Sequence, residues 1–362
     1  MREDLTRPDT VRLAPDTTMS VKLAPEPTTR RPRHPAPSPA VTWAPPRGWL
    51  HELEPVVDQQ LNLHLDRATE WFPHAYVPWS RGEDFDGPLQ GSAWDPNQSN
   101  LTPAVRSSLI VNLLTEDNLP SYHHEIATTF GRDGAWGTWV HRWTAEEDRH
   151  SATIRAYLHT TGAVDPVDLE RMRMRMRMVN AGYATDQPHG LHTIAYVALQ
   201  ELATRVSHRN TGRTSGDPVC DRLLARIATD ENLHMVFYRG LLAASFDAWP
   251  DQTMRALTDT VTSFRMPGHA IPGFDRMSLA IAYAEIYNLR IHRDDVLKPV
   301  LRSVNALHRT DLGPDGTRAQ EELGAFLATL DSAVSKQEER FEQRRFRRAL
   351  RDSIHPGGKA SA

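Results

Sequence analysis

The chain has 362 residues, 39% of them apolar and 24% charged, with a formal net charge of -4 and a single cysteine, Cys220. A slight acidity argues against a nucleic-acid binder, which gains affinity from clustered cations on phosphate. One thiol excludes an internal disulfide framework and any cage of several cysteines. Apolar runs such as Leu279 to Ala284, which stops at Glu285, fall short of the roughly 18 residues that a membrane span needs.

Residues 1–48 are dense in Pro, Thr and Arg, with runs such as Arg30 to Arg33 and Pro35 to Pro39 and almost no periodic apolar positions. Such a composition buries too little surface to offset chain ordering, so a disordered N-terminal tail is expected. It lacks an apolar signal region, and Glu3, Asp4, Asp9, Asp16 and Glu26 set it apart from acid-poor transit peptides. The expected location is cytoplasmic.

From Trp49 onward apolar residues recur every three or four positions, and strand-like alternation is scarce, which predicts an all-α domain over 49–335 with about eight or more helices. Breaks are expected at 73–103, 131–134, 162–166, 182–190, 210–218, 267–273 and 313–316, where Pro, Gly, Asp and Asn gather. The alternation from Arg171 to Met178 would suit a strand, yet Arg and Met favour helices and the flanks are helical. A helix with a largely solvated surface is expected there. Residues 336–362 read as a charged helix with a cationic finish at Arg344, Arg345, Arg347, Arg348 and Arg351, followed by a flexible tail.

Glu147 with His150, and Glu231 with His234, each set a carboxylate and an imidazole three residues apart. On a helix that leaves them about 60° apart on one face, within reach of one metal. Roughly one such tetrapeptide is expected by chance from composition, so the pairs alone prove little. Their surroundings say more. Glu116 precedes Glu147 by 31 residues, and Glu201 precedes Glu231 by 30; His150 and His234 are 84 apart. Two helix pairs facing each other across a pseudo-twofold axis would bring four carboxylates and two imidazoles together. The faces agree: Leu109, Leu113 and Glu116 share a stripe, as do Trp136, Trp139, Trp143, Glu147 and His150 on the next helix. Ile194, Val197, Glu201, Thr204 and His208 form the third stripe, and Leu224, Ile227, Glu231, His234 and Leu241 the fourth. Acids on apolar stripes are costly to bury unless paired or bound to metal. The plainer alternative pairs Glu147 and Glu231 with Arg149, Arg226 or Arg239 and leaves the histidines as ordinary core residues.

The six-residue arrangement resembles the ligand set of ferritin-like di-iron bundles, in which a Glu from each of two helices joins a Glu-x-x-His from each of two others. Four carboxylates balance two divalent cations, and imidazole nitrogen suits iron over magnesium or calcium. At a finer level the sequence resembles the soluble acyl-carrier-protein desaturases, the stearoyl-type enzymes of plastids and their actinobacterial relatives. The words that carry this are Thr115-Glu-Asp-Asn-Leu-Pro120, Trp143-Thr-Ala-Glu-Glu-Asp-Arg-His150, Gln200-Glu-Leu-Ala-Thr204, Ser207-His-Arg-Asn210 and Asp230-Glu-Asn-Leu-His234. They fall within about Leu50 to Phe274.

The resemblance implies a ferritin-like bundle, with additional helices around a four-helix di-iron core, in a homodimer. It implies two irons reduced by a ferredoxin-type donor, O2 as co-substrate, and removal of two hydrogens from an acyl chain on acyl carrier protein. The implied ligands are Glu116, Glu147, His150, Glu201, Glu231 and His234. Thr115 and Thr204 match threonines on the oxygen side, and His208 and Asp230 match residues that hydrogen-bond the ligands, with Trp143 placed beside them. An alignment anchored on His64 and Leu65 sets Phe72, beside Trp71, at the tryptophan that plant enzymes are thought to use for electron entry. The link from Glu116 to Glu147 is several residues shorter than in plant enzymes.

Three rival readings share the six residues: another di-iron oxygenase, such as an N-oxygenase or hydroxylase of a small molecule; an iron-oxidising or storage protein; and a non-catalytic helical interaction protein. Membrane desaturases use histidine-rich boxes between long apolar helices, and His123-His124 is only an isolated pair. Cys220, before a helical segment and beside Asp221, is assigned no chemistry.

Overall fold

The computed structural model describes residues 45–178, 189–265, 268 and 271–354. Of the N-terminal tail expected over 1–48 all but 45–48, the last eight residues of the helix and tail expected over 336–362, and most of the expected break at 182–190 lie outside the described residues. Among the described residues there is no β-strand, only an isolated bridge between Phe85 and Ser92. The fold is all-α, as the apolar periodicity predicts.

Four helices form the centre: α2 (Pro103–Glu116), α4 (Gly134–Thr160), α6 (Gly190–Ser215) and α7 (Pro218–Ala248). Local chemistry sets their ends. Thr102 accepts a hydrogen bond from the Val105 amide and Pro103 follows it, which starts α2. Gly216, at φ 69°, ends α6 in the left-handed region, and Asp217 caps α7 one residue later by accepting from the Val219 amide. The break expected over 210–218 therefore shrinks to Gly216 and Asp217, because Asn210 to Ser215 remain helical against the core.

Around this centre lie α1 (Trp49–Arg67), which packs on α4 and α7, and α3 (Leu119–Phe130), which joins α2 to α4. Helix α5 (Pro166–Met178) packs on α2; α8 (Pro250–Ser263) packs on α6 and α7; and α9 (Phe274–Tyr283) packs on α2. A short run follows: α10 (Leu289–Ile291), a π-helical turn over His292–Leu297 and α11 (Lys298–Ser303). The last helix, α12 (Pro314–Ile354), packs on α8 and continues unbroken through the charged stretch expected to start near 336. Long 73–103 holds only three short 3-10 turns, in keeping with its Pro and Gly content.

Helix α5 has the largely solvated surface expected over Arg171 to Met178, with a narrow buried strip. Arg171, Met174 and Arg175 are exposed, but Leu169, Arg173 and Met176 are buried. The reason is that Arg173 finds a buried carboxylate partner, Asp117, which sequence periodicity cannot reveal.

The apolar core comes in two main clusters. One gathers Trp136, Trp139 and Trp143 with Leu241 and Phe246, and the other gathers Ile154 and Leu158 with Leu224 and Ile227. Both α4 and α7 cross from one cluster to the other, and their Glu and His residues lie at the crossing. The polar residues are thus enclosed in a belt between two apolar masses.

Candidate metal centre

All six residues of the predicted constellation are buried, with His150 and His234 fully enclosed. Glu116 is the last residue of α2, Glu201 lies in the middle of α6, and α4 and α7 each supply a Glu and a His one turn apart. The structure brings them into two overlapping cages. Glu116, Glu147, His150 and Glu231 have donor atoms within 4.8 Å of one another, and so do Glu147, Glu201, Glu231 and His234. Glu147 and Glu231 belong to both.

Each imidazole turns Nδ1 inward. His150 Nδ1 is 3.2 Å from Glu231, 3.5 Å from Glu147 and 3.9 Å from Glu116. His234 Nδ1 is 2.8 Å from Glu147 and 3.6 Å from Glu201. Despite this closeness, Nδ1 of both histidines and Oε1 of Glu147 and Glu231 have no well-oriented hydrogen-bond partner. Four buried polar atoms without partners, converging on one space, fit cations better than they fit one another. The carboxylate and imidazole donor set suits two divalent transition metals.

The outer face of each imidazole is held by the opposite half. His234 Nε2 lies 2.9 Å from Glu146, and His150 Nε2 lies 3.4 Å from Asp230. Glu146 and Asp230 are the residues immediately before the shared glutamates, so the two halves exchange equivalent supports. Glu146 is absent from the residues singled out by sequence. Its signal was the matching of Glu146-Glu147 with Asp230-Glu231.

Arginines neutralise these outer acids rather than the inner ones. Arg226 pairs with Asp230 through one Nη2 contact, Arg149 lies 3.3 Å from it, and Arg142 lies 2.5 Å from Glu146. The plainer alternative, in which Arg149 or Arg226 pairs with Glu147 or Glu231, is not what the chain does. His64, on α1, reaches Glu146 at 3.0 Å and stacks on His234 with ring centroids 5.8 Å apart.

Two further donors reach the unshared glutamates. Trp143 Nε1 donates to Glu201 at 3.1 Å, and His208 Nε2 lies 3.0 Å from Glu116. Burial pulls the His208 imidazole down to about 4, so it is neutral at pH 7. Asn112 Nδ2 lies 3.2 Å from His208 Nδ1; if that amide donates, Nε2 carries the proton that Glu116 accepts.

Trp71, not Phe72, touches the centre. Its indole Nε1 donates to Asp230 at 2.7 Å and its ring stacks on His150, 14° from parallel. Phe72 is 48% exposed and stacks on His74. The chain leaves α1 at Ala68 in an extended conformation and then brings Trp71 inward while Phe72 stays at the surface.

Electrostatics follow from crowding. Burial, then repulsion from Glu231 and Glu147, pushes Glu116 well above the usual carboxylate range, and burial with Glu147 does the same to Glu201. Burial opposes ionisation of Glu231 too, but the adjacent imidazoles of His150 and His234 hold it well below that range. Burial also lowers both histidines, yet Glu147 raises His150, and Glu146 and Glu147 raise His234, well above the ordinary value. In the metal-free centre these directions favour protons on Glu116, Glu201 and both imidazoles, which offsets the charge of Glu147 and Glu231.

Thr115 and Thr204 line a narrow cavity beside the cages, together with Tyr122, Trp143 and Gln200. Its volume, about 10 Å³, is near the least that holds one water-sized molecule. Thr115 donates to the carbonyls of Val111 and Asn112, and Thr204 to that of Gln200.

Residues 47–354 match the fatty acid desaturase family. The chain belongs to that family. Within it, this desaturase is 47% identical over 295 residues to DesA1 of Mycobacterium tuberculosis, which bears an acyl-[acyl-carrier-protein] desaturase name, covering 79% of this chain and 86% of that protein. It is 31% identical over 252 residues to a chloroplastic stearoyl-[acyl-carrier-protein] 9-desaturase of Arabidopsis thaliana, covering 65% and 63% of the two chains. Its fold resembles the X-ray structure of DesA2 from Mycobacterium tuberculosis at a TM-score of 0.61 and 29% identity, over 75% of this desaturase and 98% of that chain. No helix of the desaturase, among the described residues, is long and apolar enough to cross a membrane.

Proposed function

We propose that this desaturase acts on a fatty acyl chain carried by acyl carrier protein, at a centre of two irons. Glu116 and His150 would hold one iron and Glu201 and His234 the other, with Glu147 and Glu231 within reach of both. The observation that carries this reading is the pair of overlapping cages with two glutamates in common.

Two irons bound there, given two external electrons, supply the oxidising power with which O2 removes two hydrogens from an unactivated chain. The reaction balances as one saturated carbon pair, O2, two electrons and two protons giving one double bond and two waters. The protein's own residues do the rest. Glu146 and Asp230 fix the imidazole rings, His208 and Trp143 fix the unshared carboxylates, and the two apolar clusters keep bulk water away. Thr115 and Thr204 line the small cavity at which O2 meets the centre. A reduced ferredoxin-type protein is the proposed donor, with Trp71 at the outer end of the contact through Asp230 to His150. We place the working enzyme in the cytoplasm as a homodimer, with catalysis in residues 49–335, a tail over 1–48 and a surface helix and tail over 336–362.

The test is mass spectrometry of acyl carrier protein bearing a long saturated chain, after incubation with the iron-loaded protein, reductant and O2. A loss of two hydrogens from the acyl group is expected. An unchanged acyl mass with a protein that holds two irons per chain would overturn the substrate assignment and favour a free small molecule.

A further inference from the structure

Glu116 and Glu201 occupy equivalent places in the centre but unequal places in their helices. Glu201 is followed by fourteen more residues of α6, through Ser215, whereas Glu116 is the last residue of α2. Helix ends fray, because their last carbonyls lack partners within the helix. A ligand at such an end needs an external hold if it is to stay as fixed as its counterpart.

The next residue supplies one. Asp117 caps α2 and is only 5% exposed. A buried carboxylate at the negative end of a helix is unfavourable unless cations meet it. Two arginines of α5 do so. Arg173 places Nε 3.0 Å and Nη2 2.8 Å from the two Asp117 oxygens, and Arg177 places Nε and Nη2 3.1 Å from the same pair. Arg173 is itself buried, and its remaining Nη1 reaches both oxygens of Glu170 at 2.6 and 2.7 Å. Two planar forks on one carboxylate give both strength and a fixed orientation. Met176 packs with Leu114 of α2 beside them. Arg173, Met176 and Arg177 thus serve as a docking edge for the end of a ligand helix.

We propose that Arg173 and Arg177 are positioning residues that hold Glu116, through Asp117, in the Glu116–His150 half of the centre. This rests on the six-residue reading above, and it predicts an asymmetry which that reading does not contain. Loosening the clamp should affect one cation and spare the other.

The experiment is anaerobic loading of the full-length protein with Fe(II), followed by release to a colorimetric chelator. In Arg173→Gln and Asp117→Asn, one iron per chain should leave at least about tenfold faster than in the unaltered protein, and the second at the unaltered rate. Arg177→Gln, which removes a half-exposed fork, should give a smaller acceleration of the same single iron, and it keeps the test valid if Arg173→Gln does not fold. Arg173→Lys should restore the slow rate only in part, since an ammonium cannot make the fork. Arg171→Gln, on the exposed side of α5, should change nothing. Release of both irons at unaltered rates, or equal acceleration of both, would overturn the proposal. An unaltered protein that cannot hold two irons would instead overturn the centre itself, and this inference with it.

Discussion

Glu146 accepts the outer nitrogen of His234 from across the bundle, 2.9 Å away. Replacing it with Ala removes the group that fixes the ring and leaves a buried nitrogen unpaired. Iron affinity at the His234 half should fall about 10- to 100-fold, and Glu146→Gln, which keeps an acceptor, should lose less. A competition titration with Fe(II) measures both, and unchanged affinity in Glu146→Ala would remove this support from the centre.

Glu147 and Glu231 each belong to both cages, whereas Glu116 and Glu201 belong to one apiece. Glu147→Ala or Glu231→Ala should therefore lose both cations and all O2-dependent turnover, with the helical circular dichroism spectrum retained. Glu201→Ala should keep about one cation per chain. Full activity in either shared-glutamate variant would rule out the assignment.

The metal-free protein should lose stability as pH rises. Glu116, Glu201, His150 and His234 all hold protons more tightly when folded. Their contribution is complete below the ordinary values and fades as pH climbs through the raised ones. Asp230 is held below its ordinary value and acts in the opposite sense, losing its contribution only as pH falls through the acid range. Cations replace the protons, so metal should stabilise most at high pH. Thermal midpoints with and without Fe(II), taken anaerobically from about pH 6 to about pH 9, should diverge with rising pH. A metal-free midpoint that climbs across this window would contradict the charge balance.

Trp71 and Phe72 should behave in opposite ways. Trp71→Phe removes the donor to Asp230 and should cost about 1–3 kcal/mol of stability, with slower reduction of the loaded protein by a ferredoxin-type donor. Phe72→Ser, at an exposed position, should stay within about 0.5 kcal/mol. Chemical denaturation and stopped-flow reduction test the pair; equal effects would cancel the distinction drawn from their contacts.

Thr204→Val removes one hydroxyl from the cavity wall and frees a helix carbonyl that already bonds within α6. Stability should change by no more than about 1 kcal/mol. Turnover reduced tenfold or more at unchanged iron content would tie the hydroxyl to O2 chemistry, and unchanged turnover would leave it with only its bond to Gln200.

The six converging residues are legible in the sequence because helical periodicity and an 84-residue echo both act on residue spacing. Helix class is legible for the same reason. What spacing does not carry is contact between distant segments. Asp117 meets Arg173 and Arg177 only because α5 folds onto the end of α2, and the Arg and Met alternation alone reads as a wetted surface. Trp71 rather than Phe72 reaches Asp230 because of the path the backbone takes after α1. Glu146 stands between the two cases, visible in the doubled Glu146-Glu147 once its counterpart Asp230 is set beside it.

Neither helix pair owns a complete cage. Glu116, Glu147 and His150 need Glu231 from the second pair, and Glu201, Glu231 and His234 need Glu147 from the first. Bound cations would then act as a rivet between two halves of the chain, closing a long loop and penalising the unfolded state much as a covalent staple does. The two apolar clusters also join these halves, so removing the cations with a chelator should leave the chain folded but lower its thermal midpoint. In a cell short of iron, such a protein would lose this added link between its halves together with its reactive centre.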